Sequence, residues 1–469
     1  MTRKDVLKKA YELSTGFLDE LPNRPVGRPV EFSALLEKLG GPLPEHGEDP
    51  LRVVENLYAN ADPGVVATAG PRYFGFVIGG AQPAALAADW LAAVWDQNAF
   101  AFVMSPAAAV VEEVIRTWLI DLLNLPSDMS LGLTTGATLA NFTALAAARH
   151  ALLKKAGWDV ERNGLRGAPD VPIITSAESH ITVFGVLQML GLGRDQAIKV
   201  PTDDQGRMRA DKLRAVLSAV TAPPLVCAQA GNVNTGACDP LAEIAALVRE
   251  RGGWLHVGGA FGMWAAASPA HRALVKGIEL ADSIGTDCHK WLNVPLDSGL
   301  ILIRDCEAHR DSMTLNAPYY VPSPEPTREN GNWVAESSRR ARGFAVYAAL
   351  RALGRDGIAG IVDRCCRLAR RMADRLAQGP GVQILNDVVL NQVLVRFSPP
   401  DGGAPDAFTK AVIRRIQEDG TCWAGGTIWH EMHALRISIS NWSTTEADID
   451  ASAAAILKCA RDAAGTSHA

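Results

Sequence analysis

Between residues 130 and 305, short apolar runs alternate with segments whose apolar residues recur at helical spacing. The apolar runs are Val171–Thr175, Ala197–Val200, Pro224–Ala228, Trp254–Val257 and Gly299–Ile303. This alternation predicts an α/β layer fold with a largely parallel sheet. Ligands of such sheets bind beyond the carboxyl ends of the strands, so the residues that follow each run are the first candidates for a site.

The regions around this core predict three parts in all. Residues 1–95 carry helical patterns broken by prolines and have too few apolar residues for a core of their own, so we expect them to pack at a subunit interface. Residues 96–345 form the large α/β domain. After a proline-rich loop, a long helical pattern, two alternating strands and a closing helix predict a smaller α+β domain over 346–469.

Composition excludes several classes of protein. A net charge of −5 without a basic tract argues against a nucleic-acid partner. Neither a signal peptide nor an apolar run of about 18 residues is evident, so we expect a cytoplasmic protein. The eight cysteines contain no Cys-x-x-Cys pair and predict reduced thiols. The sequence His430-Glu431-Met432-His433 lacks metal-ligand spacing, and we assign no metal site to it.

Lys290 stands in a polar turn, Asp287-Cys288-His289-Lys290-Trp291, between two apolar runs. A lysine enclosed in such a place loses solvation, and its amine becomes easier to deprotonate. A neutral amine can attack an aldehyde and form a Schiff base. Taken alone, however, a His-Lys pair after a strand is more often a surface turn.

A second candidate opens a helix. Gly136, Ala137 and Thr138 are small or hydroxyl-bearing residues at the predicted helix start, where free N–H groups and the helix dipole suit a phosphate. The segment does not match the P-loop pattern, because no Gly-Lys-Ser/Thr follows it. Many helices begin with such residues, so this signal is weak by itself.

Two further strand ends carry polar groups. His180 follows a strand and could stack on a planar ring, although a histidine that caps a helix is the ordinary explanation. Asn232 and Asn234 lie in a glycine-bounded segment that could offer amides to a ligand or form a simple turn.

Taken together, a phosphate cradle, a stacking histidine, a polar strand end and a lysine occur in one order. In this the chain resembles the group II pyridoxal-phosphate-dependent decarboxylases of the aspartate aminotransferase fold (fold type I). Those enzymes include the aromatic amino acid, glutamate and tyrosine decarboxylases, and the resemblance covers about residues 71–450. Its most specific segments are Ser179-His180, Asn234–Pro240, Asp287–Trp291, Ser338–Arg342 and Leu435–Ser438.

The resemblance implies pyridoxal phosphate as cofactor, a mainly parallel sheet in the large domain, and a homodimer with active sites at the subunit interface. It implies that Lys290 forms the Schiff base, that His180 stacks over the ring and that Tyr320 protonates the substrate carbanion. The residues implied to lie at the cofactor are Gly136, Ala137, Thr138, His180, Asn232, Asn234, Gly258, Ala260, His289 and Lys290. Asn232 and Asn234 are alternatives for the cofactor's phenolic oxygen. Arg436 and Phe74 are candidate substrate contacts.

One position departs from the family pattern. The family has an aspartate after the strand that ends at Val257, and this chain has Gly258. That aspartate pairs with the protonated pyridine nitrogen, and such a charge-assisted bond is worth about 1.5–3 kcal/mol. Its loss is expected to slow carbanion formation at least about 10–100-fold.

Three explanations are open: an engineered decarboxylase with slowed turnover, a natural enzyme with weaker ring activation and another outcome, or a protein that has lost catalysis. The retained Lys290 favours the first two. The expected reaction is decarboxylation of an L-amino acid to an amine and carbon dioxide. The alternatives are transamination, aldol-type carbon–carbon lyase chemistry, oxidative deamination, or a non-catalytic protein that binds pyridoxal phosphate.

Overall fold

The computed structural model describes residues 2–315 and 327–465, and the chain splits into two compact units. Unit 1 comprises Met1–Ile78, Arg370–Leu385 and Val393–Ala469, and unit 2 comprises Gly79–Ala369 and Asn386–Gln392. The division expected from the sequence had boundaries at residues 95 and 345. Here the N-terminal helices form one unit with the C-terminal part, because they are bonded to it directly: Phe74 N–H donates to the carbonyl of Trp423 at 2.8 Å.

Fourteen α-helices lie in the described part of the chain. They are α1 (Arg3–Glu20), α2 (Phe32–Leu39), α3 (Pro50–Ala61), α4 (Pro83–Trp95), α5 (Pro106–Leu122), α6 (Ala137–Lys155), α7 (Val160–Asn163), α8 (Ile181–Met189), α9 (Ala210–Ala219), α10 (Leu241–Glu250), α11 (Cys306–Met313), α12 (Gly343–Leu376), α13 (Pro405–Asp419) and α14 (Glu446–Gly465). The long α12 is broken at Gly354, whose φ of 60° and ψ of −174° are not helical.

Unit 2 is built on a seven-stranded sheet. Its strands are β1 (Ser130–Thr134), β2 (Ile173–Ser176), β3 (Ile198–Val200), β4 (Leu225–Gln229), β5 (Trp254–Gly258), β6 (Ser283–Asp287) and β7 (Gly299–Ile303), in the order β1-β7-β6-β5-β4-β2-β3. The neighbours from β3 to β6 are parallel, and only β7 runs against the two strands beside it. The prediction of a mainly parallel sheet is therefore confirmed.

Helix α6 lies close against this sheet because its inner face is made of small residues. Ala140, Ala144 and Ala147 are fully buried there, and they join a core that includes Ile301 and Trp254. Strands β1, β4, β6 and β7 are buried along their whole length, and for β4 and β7 this explains why their sequences read as continuous apolar runs. The packing fixes the N-terminus of α6 at the edge of the sheet where β1 ends.

Unit 1 contains a four-stranded sheet of β8 (Val382–Ile384), β9 (Gln392–Phe397), β10 (Gly425–Trp429) and β11 (Met432–Ser438), in the order β10-β11-β9-β8. Strands β10 and β11 form a hairpin in which Trp429 faces Met432. His430 and Glu431 are the two turn residues, with φ of 46° and 64°. The His-Glu-Met-His sequence is thus a tight hairpin turn.

In the parts of the chain that the structure describes, no helix is both long and apolar enough to cross a membrane.

Candidate active site

The carboxyl edge of the unit 2 sheet gathers the residues singled out in the sequence. Gly136 follows β1, His180 follows β2, Asn232 follows β4, Ala260 follows β5 and Lys290 follows β6. Because these strands run in the same direction, their ends meet at one edge. Backbone bonds tie the ends together: Ala230 N–H donates to Gly258 at 2.9 Å, and Asp287 N–H donates to Ala260 at 3.0 Å.

Asp287 links the lysine to the start of α6. Its Oδ2 lies 2.9 Å from Lys290 Nζ, and its Oδ1 accepts a 2.6 Å bond from Ala137 N–H. The side chains of Asp287 and Lys290 are 5% and 15% exposed, so the pair is largely shielded from water. Gly136, the N-cap of α6, has no side chain with which to cap the helix. An acidic group therefore already sits on the helix amide that suits an anion.

His289 adds no positive charge to this cradle. Burial lowers the pKa of His289, the Lys290 ammonium lowers it further, and Asp287 opposes both effects. Its Nδ1 lies 3.1 Å from the carbonyl of Ser298, so Nδ1 carries the proton and donates. Nε2 of the neutral ring is then the acceptor.

Asn232 presents a buried donor without a partner among the described residues. The side chain is 1% exposed, and its Oδ1 accepts the N–H groups of Asn234 and Thr235 at 2.8 and 3.3 Å. Those two bonds fix which end of the amide is nitrogen, and Nδ2 has no acceptor. A buried amide N–H without an acceptor is unfavourable, so its presence indicates a place for a ligand oxygen.

Gly258 leaves open space at the end of β5. A Cβ atom added there would meet only the carbonyl oxygen of Ala228, at an ordinary 3.8 Å. The neighbouring Gly259 differs, because a Cβ there would come within 2.9 Å of Met263. The backbone thus has room for a side chain at 258 and little at 259.

The backbone of Lys290 is held by a glycine from the loop before α4. Gly79 N–H donates to His289 O at 3.2 Å, and a Cβ on Gly79 would overlap the carbonyl oxygen of Lys290. Only glycine permits this approach without a shift of the backbone. The loop that contains Gly79 therefore lines the lysine turn.

Comparison with known proteins decides the family. Residues 33–398 match the pyridoxal-dependent decarboxylase conserved domain. The chain belongs to this family. It is 27% identical to an aromatic-L-amino-acid decarboxylase of Bacillus atrophaeus over 93% of this chain and 91% of that one. It is 25% identical to a 4-hydroxyphenylacetaldehyde synthase of Rhodiola rosea, over 94% and 92% of the two chains.

The fold agrees with this family. The solved structure of TDC from Oryza sativa with pyridoxal phosphate and tryptamine superposes with a TM-score of 0.91. It covers 98% of this chain and 97% of that one at 21% identity. Fold type I is thereby confirmed. The domain match over residues 33–398 confirms the pyridoxal-phosphate-dependent family and membership of the amino acid decarboxylases.

The residues present fit pyridoxal phosphate. The start of α6, where Gly136 has no side chain that could cap the helix and Ala137 N–H donates to Asp287, suits its phosphate. The unpartnered Nδ2 of Asn232 suits a ring oxygen. Between the two asparagines left open by the sequence, the unpartnered Nδ2 favours Asn232. The open space beside Gly258 leaves the ring's edge without a carboxylate from that position.

The two candidate substrate contacts belong to unit 1. Arg436 on β11 is half-buried, burial lowers its pKa, and it has no ion-pair partner among the described residues. Phe74 is 1% exposed and is enclosed by its own unit, whereas Phe76 is 59% exposed. Phe76 also has a φ of 53°, which is uncommon for a bulky residue and is often found at functional sites. The contact of Phe74 with the substrate stays a prediction.

Three observations complete the site. Tyr320 lies outside the described residues. All eight cysteines are unpaired, and burial raises the pKa of Cys227 and Cys288 to about 12. Across residues 2–315 and 327–465, no group of three His, Cys, Asp or Glu side chains could hold a metal ion.

Sequence reasoning missed Asp287, although it stands three residues before Lys290. Its role depends on Ala137, which is 150 positions away in the chain. The signal available was the acidic residue inside the lysine motif itself.

Proposed function

We propose that this chain removes the carboxylate of an L-amino acid to give an amine and carbon dioxide, with pyridoxal phosphate bound at Lys290. The observation that carries the proposal is the shielded Asp287–Lys290 pair at the start of α6, in a member of the decarboxylase family. When bound, pyridoxal phosphate supplies an aldehyde carbon for the lysine and a ring that withdraws electrons from the substrate.

The protein's own residues bind and orient in this proposal. Gly136, Ala137 and Thr138 would hold the phosphate through backbone amides, and neutral His289 would lie beside it. Asn232 would donate to the phenolic oxygen. His180 and Ala260 would bracket the ring, and Tyr320 would return a proton to the substrate carbon.

A substrate carboxylate has a candidate partner in Arg436. A guanidinium that is half-buried without a protein acceptor is costly, and a bound carboxylate would satisfy it with paired hydrogen bonds. An aromatic side chain on the substrate is favoured by the exposed Phe76 and by the name of the Bacillus relative.

The test is a panel of L-amino acids incubated with the pyridoxal-phosphate-loaded protein. Release of carbon dioxide and of the matching amine is the expected result, with aromatic substrates the best. Lys290→Ala should abolish release and the cofactor's absorbance band, whereas Lys276→Ala, at an exposed lysine, should preserve both. Carbon dioxide release that survives Lys290→Ala would refute the proposal.

Gly258 favours a second candidate, a reaction with another product. Without a carboxylate at the ring nitrogen the cofactor withdraws electrons less strongly, as in the second explanation given above for this position. The Rhodiola relative is named for an aldehyde product, so the family name alone does not fix the outcome. Mass spectrometry of the products separates the two, because an aldehyde or ketone in place of the amine supports this alternative. If the protein is non-catalytic, neither the parent protein nor the Gly258→Asp variant will turn over any amino acid.

We also propose a homodimer. In unit 1, Phe32 and Leu36 of α2 are 80% and 57% exposed, and in unit 2 Val94 of α4 is 64% exposed. Apolar side chains exposed in groups on helices are typical of surfaces that another chain covers. Sedimentation equilibrium should show a dimer that Val94→Asp weakens. A protein that sediments only as a monomer would count against the dimer and not against the chemistry.

A further inference from the structure

A series of hydrogen-bonded side chains, the hydrogen-bond chain, runs from the centre of the unit 2 sheet to the ring of His180. Trp254 Nε1 lies 2.9 Å from Ser283 Oγ, which lies 3.0 Å from His256 Nδ1. His256 Nε2 lies 3.1 Å from Asn141 Oδ1 on α6. All four side chains are at most 4% exposed, so water cannot substitute for any partner.

The hydrogen-bond chain continues through α8 to the site. Asn141 Nδ2 lies 3.3 Å from Thr182 Oγ1, and that hydroxyl lies 2.9 Å from His180 Nδ1. The backbone N–H of Thr182 donates to the same Nδ1 at 3.4 Å. His180 is the N-cap of α8, and its exposed ring is the far end of the chain.

The bonds of the hydrogen-bond chain could all be donated in either direction, because serine, threonine and histidine can each donate or accept. Its two ends remove that freedom. Trp254 Nε1–H can only donate to Ser283, and the Thr182 backbone N–H can only donate to His180. Buried His256 is neutral, since burial lowers its pKa to about 4, so it carries one proton.

Only one direction of donation along the hydrogen-bond chain satisfies both Trp254 Nε1–H and the backbone N–H of Thr182. Ser283 accepts from Trp254 and donates to His256 Nδ1, so that Nε2–H of His256 donates to Asn141 Oδ1. The Asn141 amide then donates to Thr182, and the Thr182 hydroxyl donates to His180. The reverse direction would leave the buried Ser283 hydroxyl proton without an acceptor among the described residues and would set two N–H groups against each other at His180.

We propose that this hydrogen-bond chain fixes His180 as the neutral tautomer that carries its proton on Nε2. A histidine's tautomer is set by the bond that its other nitrogen makes, and here Nδ1 receives two donors. Asn141, Thr182 and Ser283 are thus positioning residues for His180. The tautomer is a property of the protein alone. Its consequence, a fixed N–H donor directed at the cofactor and substrate, rests on the proposed function.

The test is nitrogen NMR of the protein labelled with 15N-histidine, with or without bound pyridoxal phosphate. Loss of signals in His180→Asn assigns the ring among the ten histidines. The expected spectrum shows a protonated Nε2 and a bare Nδ1. A proton on Nδ1, or on both nitrogens, in the parent protein would overturn the proposal, whatever the protein's activity proves to be.

Variants separate positioning from simple stability. Thr182→Val removes the hydroxyl and keeps the shape, and should raise the share of the Nδ1-protonated form about five-fold, the effect of one ordinary hydrogen bond. Thr182→Ser should restore the parent spectrum. Ser283→Ala, at the remote end, should shift it in the same direction by less.

The matched control is Thr143→Val, which removes another buried hydroxyl of α6 that bonds only within its own helix. It should leave the His180 signals unchanged. A Thr182→Val spectrum identical to that of the parent protein would show that the hydrogen-bond chain does not set the tautomer. A shift in Thr143→Val as large as that in Thr182→Val would show the same.

Discussion

Replacing Gly258 by aspartate would put a carboxylate at the end of β5 with little disturbance of the fold. The first added carbon meets only Ala228 O at 3.8 Å, and the backbone at 258 is not in a conformation reserved for glycine. The substitution therefore tests electrostatics at the cofactor ring rather than packing.

The expected gain follows from one charge-assisted hydrogen bond to the ring nitrogen. Such a bond is worth about 1.5–3 kcal/mol, and about 1.4 kcal/mol corresponds to ten-fold in rate. Since the charge on the nitrogen matters most when the substrate carbon is electron-rich, the effect should fall on kcat. We expect Gly258→Asp to raise kcat for carbon dioxide release about 10–100-fold.

The assay is carbon dioxide release measured over a range of substrate concentrations. Gly258→Asn supplies a side chain of the same shape without charge and should give less than a third of the gain. If Gly258→Asp binds the cofactor and folds normally but leaves kcat unchanged, the ring nitrogen does not face position 258, and our placement of the cofactor is wrong.

Three further outcomes follow from buried charges. Asp287→Asn removes the charge paired with Lys290 and should lower the free energy of unfolding of the cofactor-free protein by about 1.5–3 kcal/mol, measured with urea. Arg339→Met removes the nearer of the two cations beside buried Glu112, and Arg328 remains at 3.7 Å. Because the Arg339 and Glu112 side chains are 0% and 1% exposed, the loss should cost about 3 kcal/mol in the same assay. The pKa of His256 is about 4 when folded and about 6.5 when unfolded, so the unfolded chain binds more protons between those values. This one group should lower stability by about 1.4 kcal/mol per pH unit as pH drops from about 6.5 to about 4, and buried His309, whose pKa is about 3, adds a similar slope. His256→Gln should therefore reduce the measured slope by about 1.4 kcal/mol per pH unit.

Matched controls exist for two of these outcomes. Arg340 pairs with Asp89 at the surface, so Arg340→Met should change stability by less than about 1 kcal/mol. His46 is exposed, and His46→Gln should keep the acid slope. Equal losses for Arg339→Met and Arg340→Met would contradict the burial argument. An Asp287→Asn protein as stable as its parent would show that the Asp287–Lys290 pair contributes nothing.

The sequence predicted the sheet better than the site. Strands β2, β4 and β5 were recognisable because parallel strands buried on both faces are largely apolar runs. Strand β1 was not predicted, since Ser130, Gly132 and Thr134 interrupt its apolar residues. The break in α12 at Gly354 was also missed, because a single glycine is tolerated in many helices.

Within the site, contacts between distant parts of the chain could not be predicted. The family resemblance identified Lys290 and His180, but nothing local shows that Asp287 reaches Ala137 or that Asn141 connects His256 to Thr182. The distinction between Phe74 and Phe76 was also hidden. It depends on the left-handed backbone at Phe76 and Val77, which turns one ring outward while the other is buried.

The composition of unit 1 from distant segments has a consequence for folding during synthesis. Its first 78 residues leave the ribosome early, but the strands and helices that complete the unit begin at Arg370, about 290 residues later. At ordinary rates of translation that interval is about 15 to 60 s. Throughout it, the apolar faces of the N-terminal helices lack the C-terminal part of their own unit. We therefore expect the nascent chain to leave these apolar faces uncovered for longer than a chain whose compact units follow each other in order.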